Sequence, residues 1–122
     1  MAVDKEGKVF TWGAGYKGKL GHYTEWSHAD QADEPVPRMI KSLEEEMEKP
    51  AAGGIHSCLL SKEGEILTFG CGSNGRLGHE ESTDHRYLYR EGLPRKIESL
   101  KDWKVVDVAS SYYQNICVGM KK

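Results

Sequence analysis

Residues 5–22 of this chain recur without a gap as residues 62–79, so that Phe10-Thr11-Trp12-Gly13 meets Leu67-Thr68-Phe69-Gly70 and Leu20-Gly21-His22 meets Leu77-Gly78-His79. The offset is 57 residues, the difference between His79 and His22. It persists further on, where Val36-Pro37-Arg38-Met39-Ile40-Lys41-Ser42-Leu43 meets Leu93-Pro94-Arg95-Lys96-Ile97-Glu98-Ser99-Leu100. A third piece, residues 51–60, pairs more loosely with residues 108–118 and needs one inserted residue. Chance does not hold register over such a length. A period of this size means that one supersecondary unit is repeated and buries its apolar face against a neighbouring unit. The fold must therefore be a repeat fold, with repeat one over about residues 2–58 and repeat two over about residues 59–117.

Within each copy the local signals are β. Asp4-Lys5-Glu6-Gly7 and Lys62-Glu63-Gly64-Glu65 are polar, glycine-containing turns between short apolar runs, the pattern of a tight hairpin. Cys58-Leu59-Leu60 and Ile66-Leu67-Thr68-Phe69-Gly70 then read as two antiparallel strands, with Val9-Phe10-Thr11-Trp12-Gly13 as the counterpart in copy one. They are apolar enough to be buried on both faces. One segment offers a second reading. Val36, Met39, Ile40, Leu43 and Met47 recur at helical spacing beside Glu44-Glu45-Glu46, which would suit a short helix over residues 39–48. The counterparts Ile97, Leu100, Trp103 and Val105-Val106 alternate like strands, and related repeats share a fold, so a strand followed by an acidic loop is the expectation.

Gly13-Ala14-Gly15-Tyr16-Lys17-Gly18 matches G-x-G-x-x-G literally and follows a predicted strand. A dinucleotide fingerprint needs a helix opening at the last glycines, whose N-terminus holds the pyrophosphate. Here Gly21 arrives within one turn, and the same pattern returns at Gly70-Cys71-Gly72-Ser73-Asn74-Gly75, again without a helix. A glycine pattern that appears in both copies serves the repeat, so these are structural turns and no nucleotide cofactor is expected. His22 and His79 are expected to close these loops by hydrogen bonding, and His56, after Gly53-Gly54, to sit in the core. Neither a nucleophile with its base, nor paired carboxylates, nor a metal-ligand spacing among His22, His28, His56, His79 and His85 is found, so no catalytic, cofactor or metal residue is assigned.

The chain's 122 residues carry a net charge of −2, which points to neither nucleic acid nor a membrane surface as an obligatory partner. No apolar run approaches the roughly 20 residues that span a bilayer. Cys58, Cys71 and Cys117 form an odd set without a Cys-x-x-Cys pair, which predicts reduced thiols packed as small hydrophobes and an intracellular home in cytoplasm or nucleus.

The runs Ala52-Gly53-Gly54-Ile55-His56-Ser57, Leu59-Leu60, Glu63-Gly64, Phe69-Gly70 and Asn74-Gly75-Arg76-Leu77-Gly78, with Trp12-Gly13 and Leu20-Gly21, resemble the repeat of the regulator of chromosome condensation family. The resemblance covers almost the whole chain except residues 23–34 and 80–91, and it departs from the family pattern at Ser110-Ser111-Tyr112-Tyr113. It implies an all-β, partial β-propeller over residues 1–122, about two four-stranded antiparallel blades, each copy supplying about one. Two blades cannot close a ring, so the remaining blades are expected from a longer chain, or else from other copies of this one.

Function in such a fold lives on the loops that repetition positions but does not constrain. The second insertion interleaves basic and aromatic side chains, His85-Arg86-Tyr87-Leu88-Tyr89-Arg90, and the first carries Trp26, so Trp26, Arg86, Tyr87, Tyr89 and Arg90 are the candidate partner-binding residues. The expected function is that of a non-enzymatic protein-interaction scaffold. The family resemblance implies a second reading, guanine-nucleotide exchange on a small GTPase, and a third, a chromatin component as partner. For the latter Arg86, Arg90, Arg95 and Lys96 supply positive charge that neighbouring acids dilute.

Overall fold

A computed structural model describes residues 1–22, 33–79 and 90–122. Strands β1 (Ala2–Val3), β2 (Val9–Gly13) and β3 (Glu34–Met39) form one antiparallel sheet. Strands β4 (Met47–Ala52), β5 (His56–Ser61), β6 (Ile66–Cys71) and β7 (Arg90–Lys96) form a second, and β8 (Trp103–Ser110) and β9 (Asn115–Lys121) a third. Neighbours in each sheet are consecutive in the chain, so every sheet is a meander. This is the expected partial propeller: one complete four-stranded blade between parts of two others. Each copy of the sequence does supply four strands, but it divides them between two blades. Copy one provides β2 and β3 to the first and β4 and β5 to the second; copy two provides β6 and β7 to the second and β8 and β9 to the third. The covalent repeat thus straddles every joint between blades.

The apolar residues pack into those joints. Val9, Ile40, Met47, Leu59, Leu67 and Phe69 form one buried cluster between the first two sheets, with Leu43 packed against it. Cys58, Leu60, Ile66, Val105 and Val108 form another between the second and third, joined by Ile97 and Leu100. Successive side chains of a strand point to opposite faces, so in β5 Leu59 enters the first cluster while Cys58 and Leu60 enter the second. That is why β5 and β6 are buried at every residue and why their sequences read as continuous apolar runs rather than alternating ones. Burying a leucine or phenylalanine side chain is favourable by about 1.5–3 kcal/mol. Most of the driving force for this fold therefore sits between blades.

The segment with two readings is strand and loop. β3 runs to Met39, residues 40–46 turn, and β4 begins at Met47. The helical spacing of Ile40, Leu43 and Met47 arises because all three reach the same cluster from a loop and a strand start. Their counterparts differ from expectation, since Ile97 follows β7 and Leu100 ends a 3-10 turn over Glu98–Leu100 rather than a strand. Cys58 and Cys71 are buried as predicted, but Cys117 is exposed. Among the described residues β9 pairs with β8 alone, so Cys117 lacks the third strand that covers Leu59, its counterpart in β5.

The glycine-rich loops turn without forming an α-helix. Each contains one 3-10 turn, Tyr16–Gly18 or Ser73–Gly75, interrupted by a residue in the left-handed region, Lys17 at φ 62° and Asn74 at φ 61°. Gly21, at φ +80°, lets the first loop pass directly over Phe69, whose Cε2 would lie 2.9 Å from a Cβ at that position. Gly75, at φ +69°, has nothing within 4 Å of the equivalent point. Alanine at either site meets left-handed backbone strain of about 1–2 kcal/mol, but only Gly21→Ala also collides with the aromatic ring, adding about 1–3 kcal/mol. Urea unfolding followed by circular dichroism should therefore show a clearly larger loss for Gly21→Ala than for Gly75→Ala; equal losses would contradict the packing described.

Candidate partner-binding surface

Antiparallel pairing gathers the variable parts of the chain at one end of the sheets. His56 pairs with Gly70, Ala52 with Ser57, Cys71 with Arg90, Gly13 with Glu34 and Ser110 with Asn115. That end holds the two glycine loops, the β4–β5 and β8–β9 turns, and the roots of both insertions.

Its interior is held by one device used twice. Thr11 Oγ1 donates to the Leu20 carbonyl at 2.7 Å and lies 2.8 Å from His22 Nε2. Thr68 Oγ1 donates to the Leu77 carbonyl at 2.7 Å and lies 2.9 Å from His79 Nε2. A hydroxyl has one proton, and here it goes to the carbonyl, so each imidazole must donate from Nε2. Both histidines close their loops as the sequence predicted. Burial pushes both imidazole pKa values down, helped by Arg38 at His22 and by Arg95 at His79.

A second repeated contact ties each loop to the next blade. Ser57 Oγ donates to the Lys19 carbonyl at 2.9 Å, and Asn115 Nδ2 donates to the Arg76 carbonyl at 2.7 Å. With its amide nitrogen fixed by that carbonyl, Asn115 Oδ1 accepts from Ser110 Oγ and from His56 Nε2, the latter at 3.0 Å. His56 is 1% exposed and lies against Gly53, where a Cβ would fall within 2.1 Å of its ring. Its pKa is lowered by burial, and its Nδ1 is buried without a hydrogen-bond partner. It is a core histidine, as expected, and belongs to the joint between the second and third blades.

Of the candidate residues named from sequence, Trp26, Arg86, Tyr87 and Tyr89 lie outside the described residues. Arg90 begins β7 opposite Cys71 and is buried, at the root of the second insertion. Sequence reasoning passed over a group the structure brings to the same end. Tyr16, Tyr112 and Tyr113 are about half exposed or more. Lys17 Nζ stands 5.3 Å from the Tyr16 ring centre and the Arg76 guanidinium 5.1 Å from that of Tyr113, while Tyr112 and Tyr113 meet edge to face at 4.7 Å. The Tyr112 ring also covers Gly54 in the preceding blade. The signal was in the sequence, because Tyr112-Tyr113 is where copy two departs from the glycines of copy one. The basic residues further along the sheets are neutralised by close partners: Arg38 by Glu34 at 2.7 Å, Arg95 by Glu91 at 2.7 Å, and Lys96 by Glu65 at 2.9 Å. Among the described residues no three His, Cys, Asp or Glu side chains converge as a metal site, and no helix is long and apolar enough to cross a membrane.

Comparison with known proteins agrees with the geometry. The model of the regulator of chromosome condensation (RCC1) repeat matches residues 6–60 and 63–118. The chain is 38% identical over 121 residues to the E3 ubiquitin-protein ligase HERC2 of Homo sapiens, covering 97% of this chain and 2% of that protein. It is 35% identical over 111 residues to the mitochondrial RCC1 domain-containing protein RUG3 of Arabidopsis thaliana, covering 90% of this chain and 22% of the relative. The crystal structure of Prp20p from Saccharomyces cerevisiae, studied with its binding to Gsp1p and histones, superposes with a TM-score of 0.82 at 17% identity, over 98% of this chain and 28% of Prp20p. The chain therefore spans a small part of each of these proteins.

The lowered pKa values of His22, His56 and His79 fix the sign of the pH dependence. A histidine whose folded pKa lies below its unfolded value of about 6.5 favours the folded state above that pH and loses this contribution as pH falls towards the folded pKa. The urea midpoint should decline as pH drops from about 7.5 to about 5. His79→Gln, which keeps an N–H donor for Thr68 but does not titrate, should flatten that decline. A midpoint that rises on acidification would contradict the lowering of these pKa values by burial.

Proposed function

Because the chain belongs to the regulator of chromosome condensation repeat family, we propose that it is a segment of a β-propeller that serves as a protein-interaction scaffold, not as an enzyme, and that it meets its partner at the glycine-loop end. The observation that carries this reading is the exposed set Tyr16, Tyr112 and Tyr113 beside Lys17 and Arg76, on the same end as both insertion roots. Aromatic rings bring large contact area at low entropic cost, and tyrosine and arginine are enriched where binding energy concentrates. Trp26, Arg86, Tyr87 and Tyr89, which lie outside the described residues, belong to the two insertions whose roots are at this end, and Arg90 is buried at the root of the second. A cytoplasmic or nuclear location is part of the reading, supported by three free cysteines.

Guanine-nucleotide exchange on a small GTPase is the second reading, supported by the Prp20p fold and by its binding to Gsp1p. Contact with a chromatin component has support in the histone binding of Prp20p, but here Arg95 and Lys96 are already paired with acids.

Affinity capture should separate the two ends of the blades. Tyr113→Ala should lose a partner retained by Trp103→Ala, which alters an exposed aromatic at the opposite end, while both variants keep the wild-type circular dichroism spectrum. Removing a central tyrosine anchor costs about 1–3 kcal/mol, a roughly 5- to 150-fold loss of affinity. Equal capture by both variants would overturn the assignment to this end. Faster release of fluorescent GDP from a small GTPase on adding the chain would favour exchange.

A further inference from the structure

The two copies of the repeat place a serine at the same point of the connection between blades, Ser42 after β3 and Ser99 after β7, each followed by a leucine that packs against a buried cluster. The two connections are held differently. Around Ser99 a 3-10 turn over Glu98–Leu100 is closed by the Leu100 amide, which donates to the Ile97 carbonyl at 3.3 Å, and by the Lys101 amide, which donates to the Glu98 carbonyl at 3.1 Å. The connection over residues 40–46 is tied only at its ends. The Ile40 amide donates to the Val9 carbonyl, the Met47 amide to the Gly7 carbonyl, and the Glu46 carbonyl accepts from the Lys62 amide. Between them, from Lys41 to Glu45, no backbone–backbone hydrogen bond holds the chain among the described residues. A stretch with so few bonds opens locally while the rest of the fold stays intact.

Ser42 is exposed, and its hydroxyl has no hydrogen-bond partner among the described residues. Other hydroxyls are committed to the fold. Thr11, Ser57 and Thr68 are buried and donate to carbonyls, Ser61 is buried and accepts from the Glu65 amide, and Ser110 donates to Asn115. Ser111 is exposed too, but Tyr112-Tyr113-Gln114 follows it, whereas Leu43-Glu44-Glu45-Glu46 follows Ser42. Glu44 and Glu46 are exposed. The Glu46 carboxylate meets Lys62 at 3.0 Å and that of Glu45 lies 3.9 Å from Lys96, contacts at the surface that are weak and readily exchanged for another cation. The segment therefore presents an uncommitted hydroxyl, three carboxylates just after it, and a backbone that can be drawn out.

We propose that Ser42 is a phosphorylation site for a serine kinase that reads acidic residues on the C-terminal side of its target. Basic side chains in the cleft of such a kinase pair with Glu44, Glu45 and Glu46 while the segment lies extended across it. Ser42 Oγ attacks the γ-phosphorus of ATP, the bond from that phosphorus to the β–γ bridging oxygen breaks, the hydroxyl proton passes to the kinase's base, and ADP leaves. The product adds a charge of about −1.5 to −2 to a connection that already carries three carboxylates. Because β3 starts at Glu34 opposite Gly13 and runs away from the glycine loops, the phosphate stands at the other end of the blades. The Ser42 side chain belongs to neither buried cluster, so modification changes the charge of that end and leaves the joint between blades in place.

The test is incubation of the folded chain, checked by circular dichroism, with ATP and a purified kinase that prefers acidic residues after its serine, read by mass and by mapping of the phosphopeptides. Residue 42 should carry the phosphate incorporated first, and Ser42→Ala should lose it. Glu45→Gln keeps the shape of the side chain and removes its charge, so it should slow the reaction about 10-fold, the scale of one charge-assisted contact. Ser99 has Asp102 three residues on, as Ser42 has Glu45, but its turn is closed, so it should remain unmodified over the same time. The absence of phosphate at residue 42, or modification of Ser99 as fast as of Ser42, would overturn the proposal. So would a rate indifferent to Glu45→Gln, or equal modification by a kinase that prefers basic residues before its serine.

Discussion

The contact on which the rest depends is an aromatic ring under a glycine across the joint between two blades. Phe69 belongs to the second sheet, yet its ring lies against Gly21 and Ile40 of the first. A four-stranded sheet of this size, apolar on both faces, has no way to shelter itself. It becomes stable by packing against the blades beside it, and here it lends the Phe69 ring to the blade before it. The positive φ of Gly21 and the irregular register of β6 after Thr68 both exist to let that ring come close. The positive φ of Gly78 and the irregular register of β2 repeat the backbone half of that arrangement, although at Gly78 the neighbour is Ile97 and not a ring.

Polar contacts then hold the joint in a single arrangement. Ser57 and Asn115 occupy matching places and donate to matching carbonyls, those of Lys19 and Arg76. A hydrogen bond of this kind contributes about 1 kcal/mol net, less than the ring, but it is directional and sets the register of one blade against the next. The threonine–histidine closures do the same inside each loop. Together they make the glycine-loop end a rigid rim from which both insertions depart, and rigidity is what a recognition surface needs if ordering it is not to consume the binding energy.

Much of this was legible in the sequence. The offset that pairs His22 with His79 located the strands, the turns and the loop closures, and the unbroken apolar character of Leu59-Leu60 and Ile66-Leu67 announced burial on both faces. Two things were not. Division of each repeat between two blades depends on which sheet β4 and β5 join, and periodicity carries no information about that. The environment of Cys117 depends on a third strand beside β9, so an apolar neighbourhood in sequence did not become a buried one in space. Part of the candidate surface was visible only as a departure from the repeat: Tyr112-Tyr113 reads as a loss of glycines until the fold shows one ring covering Gly54 and the other facing Arg76.

The central claim is that stability resides between blades, and amide hydrogen exchange tests it most directly. In the dilute chain, β5 and β6 have neighbours on both edges and both faces, so the amides of Leu59, Leu60, Leu67 and Phe69 should exchange most slowly and only through global unfolding. The amides of β9 should be much faster, with those pointing away from β8 nearly unprotected. Uniform protection across the three sheets, or protection in β9 equal to that in β5, would mean that each sheet is stable by itself and would contradict the account.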